Sequence, residues 1–398
     1  MASHTPLFSR RQLNIIIVIT AMIIALLSIP SEPWPQIQRL SLQQVPLSYI
    51  VDDDRPFELR LSFALPKTAL LPVEPALALR QLLDHRAGAT FSTRLSSDRL
   101  TISISAPSST ALAQHLQQLP RLLLEPFERT AIASSVKQHL AQRHINRQQR
   151  SAVQQADAWL RHHQPPPLSA TSGPITEDVI NLLQQQLFSR SQLRLSLIGP
   201  QPETITAELS AMLEQFDIGK SWGQDATSPT ADQARVTEQL APVAALQPLA
   251  GRQSAGFAEA LLLSRMLAQL APEATLQLHP GAKVSWLIWI EPNRTDTSPT
   301  WLATQLKLIR HRLNTMKDWE LERAADDLRQ QLEHRLLQPQ AIADQLEVIA
   351  FYQLPVDYLP QFDATIAALT RAEIRQQLLA LLQPERFSYP ISNPTQQP

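Results

Sequence analysis

The sequence contains a long internal repeat, and this repeat limits the folds that the chain can adopt. In the first half, an apolar-periodic helical stretch ending at His85 is followed by a strand pattern over Leu100–Ala106. In the second half, a helical stretch over Gly256–Leu270 is followed by a strand pattern over Val284–Ile290. Helical and strand periodicities thus alternate in both halves. Such a long unit predicts two homologous α+β domains, because the repeats of a solenoid are much shorter.

The end of each half repeats as well. Thr176 and Thr370 both stand at the start of a helical pattern, and a proline follows each at the same distance, at Pro200 and Pro394. Glu373 follows Thr370 at the spacing of a capping box, in which two side chains satisfy free backbone N–H groups at a helix N-terminus. The two halves are therefore expected to close with similarly capped helices.

The composition describes a globular chain and excludes several classes of function. With 398 residues, 44% of them hydrophobic and 18% charged, the chain can bury two separate cores. A net charge of −1 gives no basic field, so no nucleic-acid partner is expected. The absence of cysteine rules out disulfides and thiol nucleophiles. Only eight glycines leave no phosphate-binding loop or dinucleotide fingerprint, and no cofactor is expected.

An apolar run near the N-terminus predicts a membrane anchor. Arg10 and Arg11 precede Leu13–Ile29, which is just long enough to cross a hydrocarbon core as a helix. Positive charge before the run predicts a cytoplasmic N-terminus and an exported remainder. The bulk of the chain is therefore expected on the periplasmic side of the inner membrane, held by a single span. A cleavable signal peptide is the alternative, but Ser28-Ile29-Pro30 matches a cleavage site poorly.

These patterns divide the chain into six predicted segments. They are a cytoplasmic N-terminus (1–12), a transmembrane signal anchor (13–29), a proline-containing linker (30–44), a first domain (45–218), an interdomain linker (219–240) and a second domain (241–398). The interdomain linker is assigned because that stretch is rich in Ser, Thr, Asp and Gln between periodic segments.

The helix ending at His85 has the spacing of a zinc-binding motif without its full set of ligands. In H-x-x-E-H helices, two histidines hold zinc and the glutamate activates the attacking water. Here Gln81 replaces the first histidine and Asp84 replaces the glutamate, so only His85 remains. A hydrolytic zinc site usually needs three protein ligands and an open position. The degenerate motif, Gln81, Asp84 and His85, therefore predicts no metal binding and no catalytic residue.

Around this motif the sequence resembles the insulinase, pitrilysin and mitochondrial processing peptidase family. Ala78–His85 is similar to the family's zinc helix, and Gly88–Thr93 with Asp98–Ser103 is similar to the strands that follow it. The resemblance implies two related α/β-sandwich halves and, in active members, a metalloendopeptidase. It also implies that the third zinc ligand is a glutamate, in a stretch represented here by Thr130–Leu140. No glutamate lies there, and His139 is the nearest counterpart.

This combination predicts a noncatalytic member of such a family, a pseudo-metallopeptidase. It is expected to pair with an active zinc peptidase subunit as a hetero-oligomer and to help enclose a peptide or unfolded protein. An extended peptide can add to an exposed strand edge, and Phe57–Leu65 and Leu100–Ala106 are the candidate edges. Two alternatives stay open. One is a stand-alone peptide-binding or scaffolding protein at the membrane, and the other is an active metallopeptidase with a rearranged site.

Overall fold

The structure is a computed structural model that describes residues 34–65, 73–88, 90–96, 98–138, 176–219, 244–290, 299–336 and 338–387. The predicted anchor, Leu13–Ile29, lies outside these residues, as do His139 and nearly all of the predicted interdomain linker. Within the described part of the chain, no helix is long and apolar enough to cross a membrane. From Gln36 onward the chain forms one compact unit.

The first half, residues 34–219, folds as a mixed sheet with helices. Its strands are β1 (Gln38–Leu42), β2 (Val45–Val51), β3 (Phe57–Ala64), β4 (Ser92–Leu95), β5 (Arg99–Ala106) and β6 (Leu193–Gly199). Its helices are α1 (Val73–Ala87), α2 (Ser109–Leu124), α3 (helical residues 129–138), α4 (Glu177–Leu187) and α5 (Thr206–Glu214). β1 lies within 30–44, the range assigned to a linker from the sequence, and pairs with β2.

The strand order in this sheet is β1-β2-β6-β3-β5-β4, with β2 and β6 parallel and the other pairs antiparallel. The predicted strand edges are therefore wrong. β3, which corresponds to Phe57–Leu65, lies between β6 and β5, while β5 lies between β3 and β4. The edges of the sheet are β1 and β4. Both candidate strands already have two hydrogen-bonded neighbours, so neither can accept a peptide strand.

The second half, residues 244–387, repeats part of this topology. Its strands are β7 (Ala244–Ala250), β8 (Thr275–His279) and β9 (Val284–Ile290). Its helices are α6 (Phe257–Leu270), α7 (Pro299–Thr315), α8 (Asp318–Leu336), α9 (Pro339–Tyr352), α10 (Tyr358–Ala368) and α11 (Arg371–Leu381). The described strands follow the order β7-β9-β8, which matches β3-β5-β4 in the first half. In both halves a strand, a helix, an antiparallel strand pair and a second helix follow one another, as the sequence repeat predicts.

Strand alternation determines which face of the first sheet is apolar. Phe57, Leu59, Leu61 and Phe63 of β3 are buried on one face, where they join the core formed with α1, α2 and α4. The second half has its own hydrophobic cluster. Two clusters and two sheets agree with two related halves, while the division into independent domains stays a prediction, since the residues from Gln36 form one unit.

The opposite face of the first sheet is polar and packs against α9 from the second half. Glu347 of α9 has a fully buried side chain and is surrounded by groups from three strands. Its carboxylate accepts hydrogen bonds from Arg60 Nη1 of β3 at 3.0 Å, and from Arg99 Nε at 2.8 Å and Thr101 Oγ1 at 2.9 Å, both of β5. Arg94 of β4 also forms an ion pair with it. We call this set of five residues the Glu347 cluster.

The Glu347 cluster places three arginines around one carboxylate, and Glu58, Asp98 and Asp344 beside it supply further negative charge. Burial by itself would raise the pKa of Glu347, but Arg99, Arg94 and the hydrogen bond from Thr101 offset it, so the pKa lies below its usual value. Asp344, which lies near Glu347 on α9, accepts a hydrogen bond from Arg94 Nη1 at 3.0 Å and pairs with Arg60. The cluster therefore links α9 to β3, β4 and β5.

Removal of the central carboxylate tests this packing. In Glu347→Ala, Arg60, Arg94 and Arg99 lose a shared buried counter-charge. Arg60 keeps Glu58 and Asp344, and Arg99 keeps Asp98, so we expect the free energy of unfolding to fall by about 3 kcal/mol. Glu322→Ala is a matched control, because Glu322 pairs with Arg371 where both side chains are about half exposed. It should cost about 1 kcal/mol or less. Urea unfolding of the purified proteins measures both, and similar losses for the two variants would contradict the role given to Glu347.

Candidate functional site

The degenerate zinc motif lies on α1, whose position is set by its apolar residues. Ala78, Leu79, Leu82 and Leu83 are buried in the core of the first half. At the C-terminal end of α1, the guanidinium of Arg86 donates hydrogen bonds to the carbonyl oxygens at the end of α2 and just beyond it, those of Leu122, Glu125 and Pro126. These contacts join the C-terminal end of α1 to the end of α2.

Gln81 faces a hydroxyl group rather than a second ligand. Ser135 of α3 is buried, and its Oγ lies 3.3 Å from Gln81 Oε1 and 3.2 Å from the carbonyl oxygen of Ala78. The resemblance places the third ligand in this same stretch, Thr130–Leu140. The residue from the stretch that reaches Gln81 is therefore Ser135, which the sequence reasoning missed. Its position between the apolar residues Ile132 and Val136 of a helical pattern was the available signal in the sequence.

Asp84 forms an ion pair and a hydrogen bond with neighbouring side chains. Its carboxylate pairs with Arg80 at 3.3 Å on the same helix, and it accepts a hydrogen bond from Thr93 Oγ1 of β4. Asp84 thus links α1 to the edge strand.

His85 is exposed next to Asp84 and forms no hydrogen bond or ion pair with another described residue. Gln81, Asp84 and His85 therefore lie on one helix, but each faces a different environment. In the part of the chain that the structure describes, no three His, Asp or Glu side chains are grouped closely enough to hold a metal ion. The absence of metal binding and of catalytic residues stays a prediction.

The free edge of β4 is the second part of the site. Ser96 N donates to Arg99 O at 2.8 Å, where β4 turns into β5. Hydrogen-bonded and non-hydrogen-bonded pairs alternate along an antiparallel ladder, so Ser92 and Arg94 bond to β5. The backbone groups of Thr93 and Leu95 then point to the free side, where no described strand pairs with them. This side can accept an extended peptide strand.

Comparisons with known proteins identify the fold of the chain. No protein-family model matches the sequence, and no curated protein matches it significantly. Many solved structures match at the level of the fold. The chain has the fold of M16 peptidases, the insulinase- and pitrilysin-like class, as the sequence resemblance predicts.

Three solved structures illustrate this likeness. A peptidase M16 inactive domain from Pseudomonas fluorescens has a TM-score of 0.66 and 15% identity, over 88% of this chain and 97% of that one. A protease from Helicobacter pylori has a TM-score of 0.68 and 9% identity, over 89% and 98% of the two chains. The periplasmic protease PqqL from Escherichia coli has a TM-score of 0.60 and 14% identity, over 88% of this chain and 46% of PqqL. The chain thus spans nearly all of the first two structures and about half of PqqL.

The environment of His85 leads to a test of its role. Since the side chain is exposed without described partners, His85→Ala should change the free energy of unfolding by less than about 0.5 kcal/mol. Leu83→Ala, on the buried face of the same helix, should cost about 2–5 kcal/mol. Urea unfolding in the presence and absence of a zinc chelator measures both. A large loss for His85→Ala, or a loss of stability on chelation, would indicate that the imidazole is a metal ligand.

Proposed function

We propose that the protein is a noncatalytic subunit with a peptidase fold that pairs with an active zinc peptidase and holds an extended peptide at β4. In this proposal the chain contributes a wall and a binding edge to the peptidase, and the partner supplies the zinc and the activated water. The N-terminal apolar run would tether the assembly to the inner membrane with the folded part on the periplasmic side.

The observation that carries the proposal is the set of contacts made by the degenerate motif, Gln81, Asp84 and His85. A zinc peptidase needs three ligands and a carboxylate that is free to activate water. Gln81 offers a neutral amide that lies against Ser135, and Asp84 is held by Arg80 and Thr93. The side chain of aspartate is also one methylene shorter than that of glutamate. In this proposal the replacements remove zinc binding and the activation of water, while the apolar residues of α1 still fix the helix against the core.

Peptide capture is supported by the position of β4. The strand is short and lies at the edge of the first sheet, and its Thr93 contacts Asp84 of the motif helix. A peptide added along Thr93 and Leu95 would therefore run beside the place where an active relative would cut. Backbone hydrogen bonds would supply the affinity with little dependence on the peptide sequence.

Pairing is supported by the comparisons. The chain covers 90% of a structure of the first half of PqqL, but 46% of the full-length protein. PqqL therefore joins a second half to one of this size in a single polypeptide. A separate partner chain could complete this protein in the same way. The structure from Pseudomonas fluorescens is named an inactive domain, so this fold occurs without activity in another protein.

Reconstitution with a zinc peptidase tests the pairing. We expect the purified chain to contain no stoichiometric zinc and to leave a fluorogenic peptide intact. Mixed with a zinc peptidase that carries an intact H-x-x-E-H motif and is encoded beside it, the chain should co-elute and raise the rate of cleavage. His85→Ala in this chain should preserve that increase, whereas glutamate-to-glutamine in the partner's motif should abolish cleavage.

Each contrary result in the reconstitution selects another function. Zinc bound to the lone chain, together with peptide hydrolysis that His85→Ala abolishes, would identify an active metallopeptidase. Peptide binding by the lone chain without association with any zinc peptidase would favour a stand-alone peptide-binding or scaffolding protein at the membrane.

A second prediction concerns the binding edge. Leu95→Pro removes a backbone N–H that points to the free side of β4. The loss of this hydrogen bond, together with the poorer fit of proline in a paired strand, should weaken the affinity for an extended peptide by about tenfold. Ser41→Pro is the matched control on the other edge strand, β1, and should leave affinity unchanged. Fluorescence anisotropy with a labelled, unfolded peptide measures both.

The peptide itself provides a check that does not depend on the stability of the variants. N-methylation of alternate residues removes the N–H groups on one side of an extended strand. One of the two alternating patterns should abolish binding and the other should be tolerated. Equal affinity for both patterns would show that the peptide does not bind as an added strand.

A further inference from the structure

The second half contains a cavity of about 170 Å³ with three arginines in its lining. One wall is apolar and includes Phe257 of α6 and Phe362 of α10. The cationic groups come from three places: Arg252 from the segment before α6, Arg265 from α6 itself, and Arg335 from α8. No residue of α1 or β4 contributes, so this site does not depend on the proposed function.

The helical period of α6 builds this arrangement. Phe257, Leu261 and Arg265 recur every four residues, so they line one side of the helix. The backbone N–H of Arg252 donates a hydrogen bond to the carbonyl oxygen of Gly281 at 2.9 Å, which fixes the position of the residue. The Arg252 guanidinium lies 5.1 Å from the centre of the Phe257 ring. The guanidinium is thus positioned by the fold at the apolar wall.

The three arginines lack acidic partners among the described residues. Other arginines of the second half form ion pairs with carboxylates: Arg312 with Glu273, Arg329 with Asp363, Arg371 with Glu322, and Arg375 with Asp318. No described carboxylate is paired with Arg252, Arg265 or Arg335. Arg265 and Arg335 are exposed, so water screens their mutual repulsion, but an anion in the cavity would be attracted by all three positive charges.

Two buried polar groups meet in the same cavity, the guanidinium of Arg252 and the hydroxyl of Tyr358, which interact with each other. Nε of Arg252 has no hydrogen-bond partner among the described residues, and the hydroxyl proton of Tyr358 is not donated to a described acceptor. Burial raises the pKa of Tyr358, although Arg252 opposes this effect, so the hydroxyl stays protonated at neutral pH and can donate a hydrogen bond. Both atoms are therefore donors, and an acceptor that enters the cavity would satisfy them.

We propose that this cavity binds a carboxylate carried on a short apolar or aromatic group. Guanidinium groups bind carboxylates through two parallel hydrogen bonds, and the hydroxyl of Tyr358 can add another. The apolar wall of Phe257 and Phe362 suits the attached group. The volume is below that of pockets for larger ligands such as nucleotides, so a single residue or a small acid fits. Such a group exists as a free acid or as the C-terminal residue of a peptide.

Calorimetry with a matched pair of ligands tests the site. The full chain should bind N-acetyl-L-phenylalanine and should bind its amide, which lacks the carboxylate, at least about tenfold more weakly. A short peptide that ends in phenylalanine with a free carboxylate serves as a second ligand. Tighter binding of this peptide would assign the site to peptide C-termini, and binding of the free acid alone would assign it to small acids.

Variants connect the binding to the arginines. Arg265→Gln and Arg335→Gln lie at exposed positions, so they should fold normally, and each should weaken binding of N-acetyl-L-phenylalanine by about tenfold. Arg323→Gln is the control on α8, because Arg323 is exposed and pairs with Asp327. It should leave affinity unchanged. Equal binding of acid and amide, wild-type affinity in both cavity variants, or no binding of either acid at about 10 mM would overturn the proposal.

Discussion

The buried carboxylate of Glu347 is the constraint on which the arrangement of the chain depends. A charge without access to water is tolerated only when its partners are held in place around it. Those partners come from β3, β4 and β5, while Glu347 comes from a helix of the other half. Displacement of α9 along the sheet would leave the carboxylate unpaired, and Arg60 would keep only Glu58 of its own strand. The interaction therefore adds specificity to the packing more than net stability, and it fixes the position of the edge strand through Arg94.

The position of α1 depends on its apolar residues and not on the polar residues of the degenerate motif. The buried residues of α1, such as Leu79 and Leu83, have no role in zinc chemistry and hold the helix against the sheet. The polar positions can then change at little cost, because Asp84 is half exposed and pairs with other groups. Asp84 in fact gains a structural contact, since it reaches Thr93 of β4.

Local patterns in the sequence predict much of this fold, and long-range pairing explains what they miss. The alternation in Phe57–Leu65, the capping box at Thr370 and the repeated helix–strand order are all confirmed, because each depends on neighbouring residues. The free edge could not be found in this way, since strand order depends on β6, which is distant in sequence from β3. Prediction from the sequence also missed the role of Glu347. The available signal was an acidic residue within an apolar helix, together with an arginine, Arg60, within an alternating strand.

The edge strand β4 carries Arg94, and this has a consequence for contacts between copies of the protein. Exposed sheet edges promote aggregation, and natural proteins restrain them with short strands and charged side chains. β4 spans Ser92–Leu95, and the Arg94 side chain remains almost half exposed. A four-residue edge offers few backbone hydrogen bonds, and the exposed part of the Arg94 side chain adds bulk and polarity beside them. Pairing of this edge with a second copy of itself, and fibre growth through it, is therefore disfavoured.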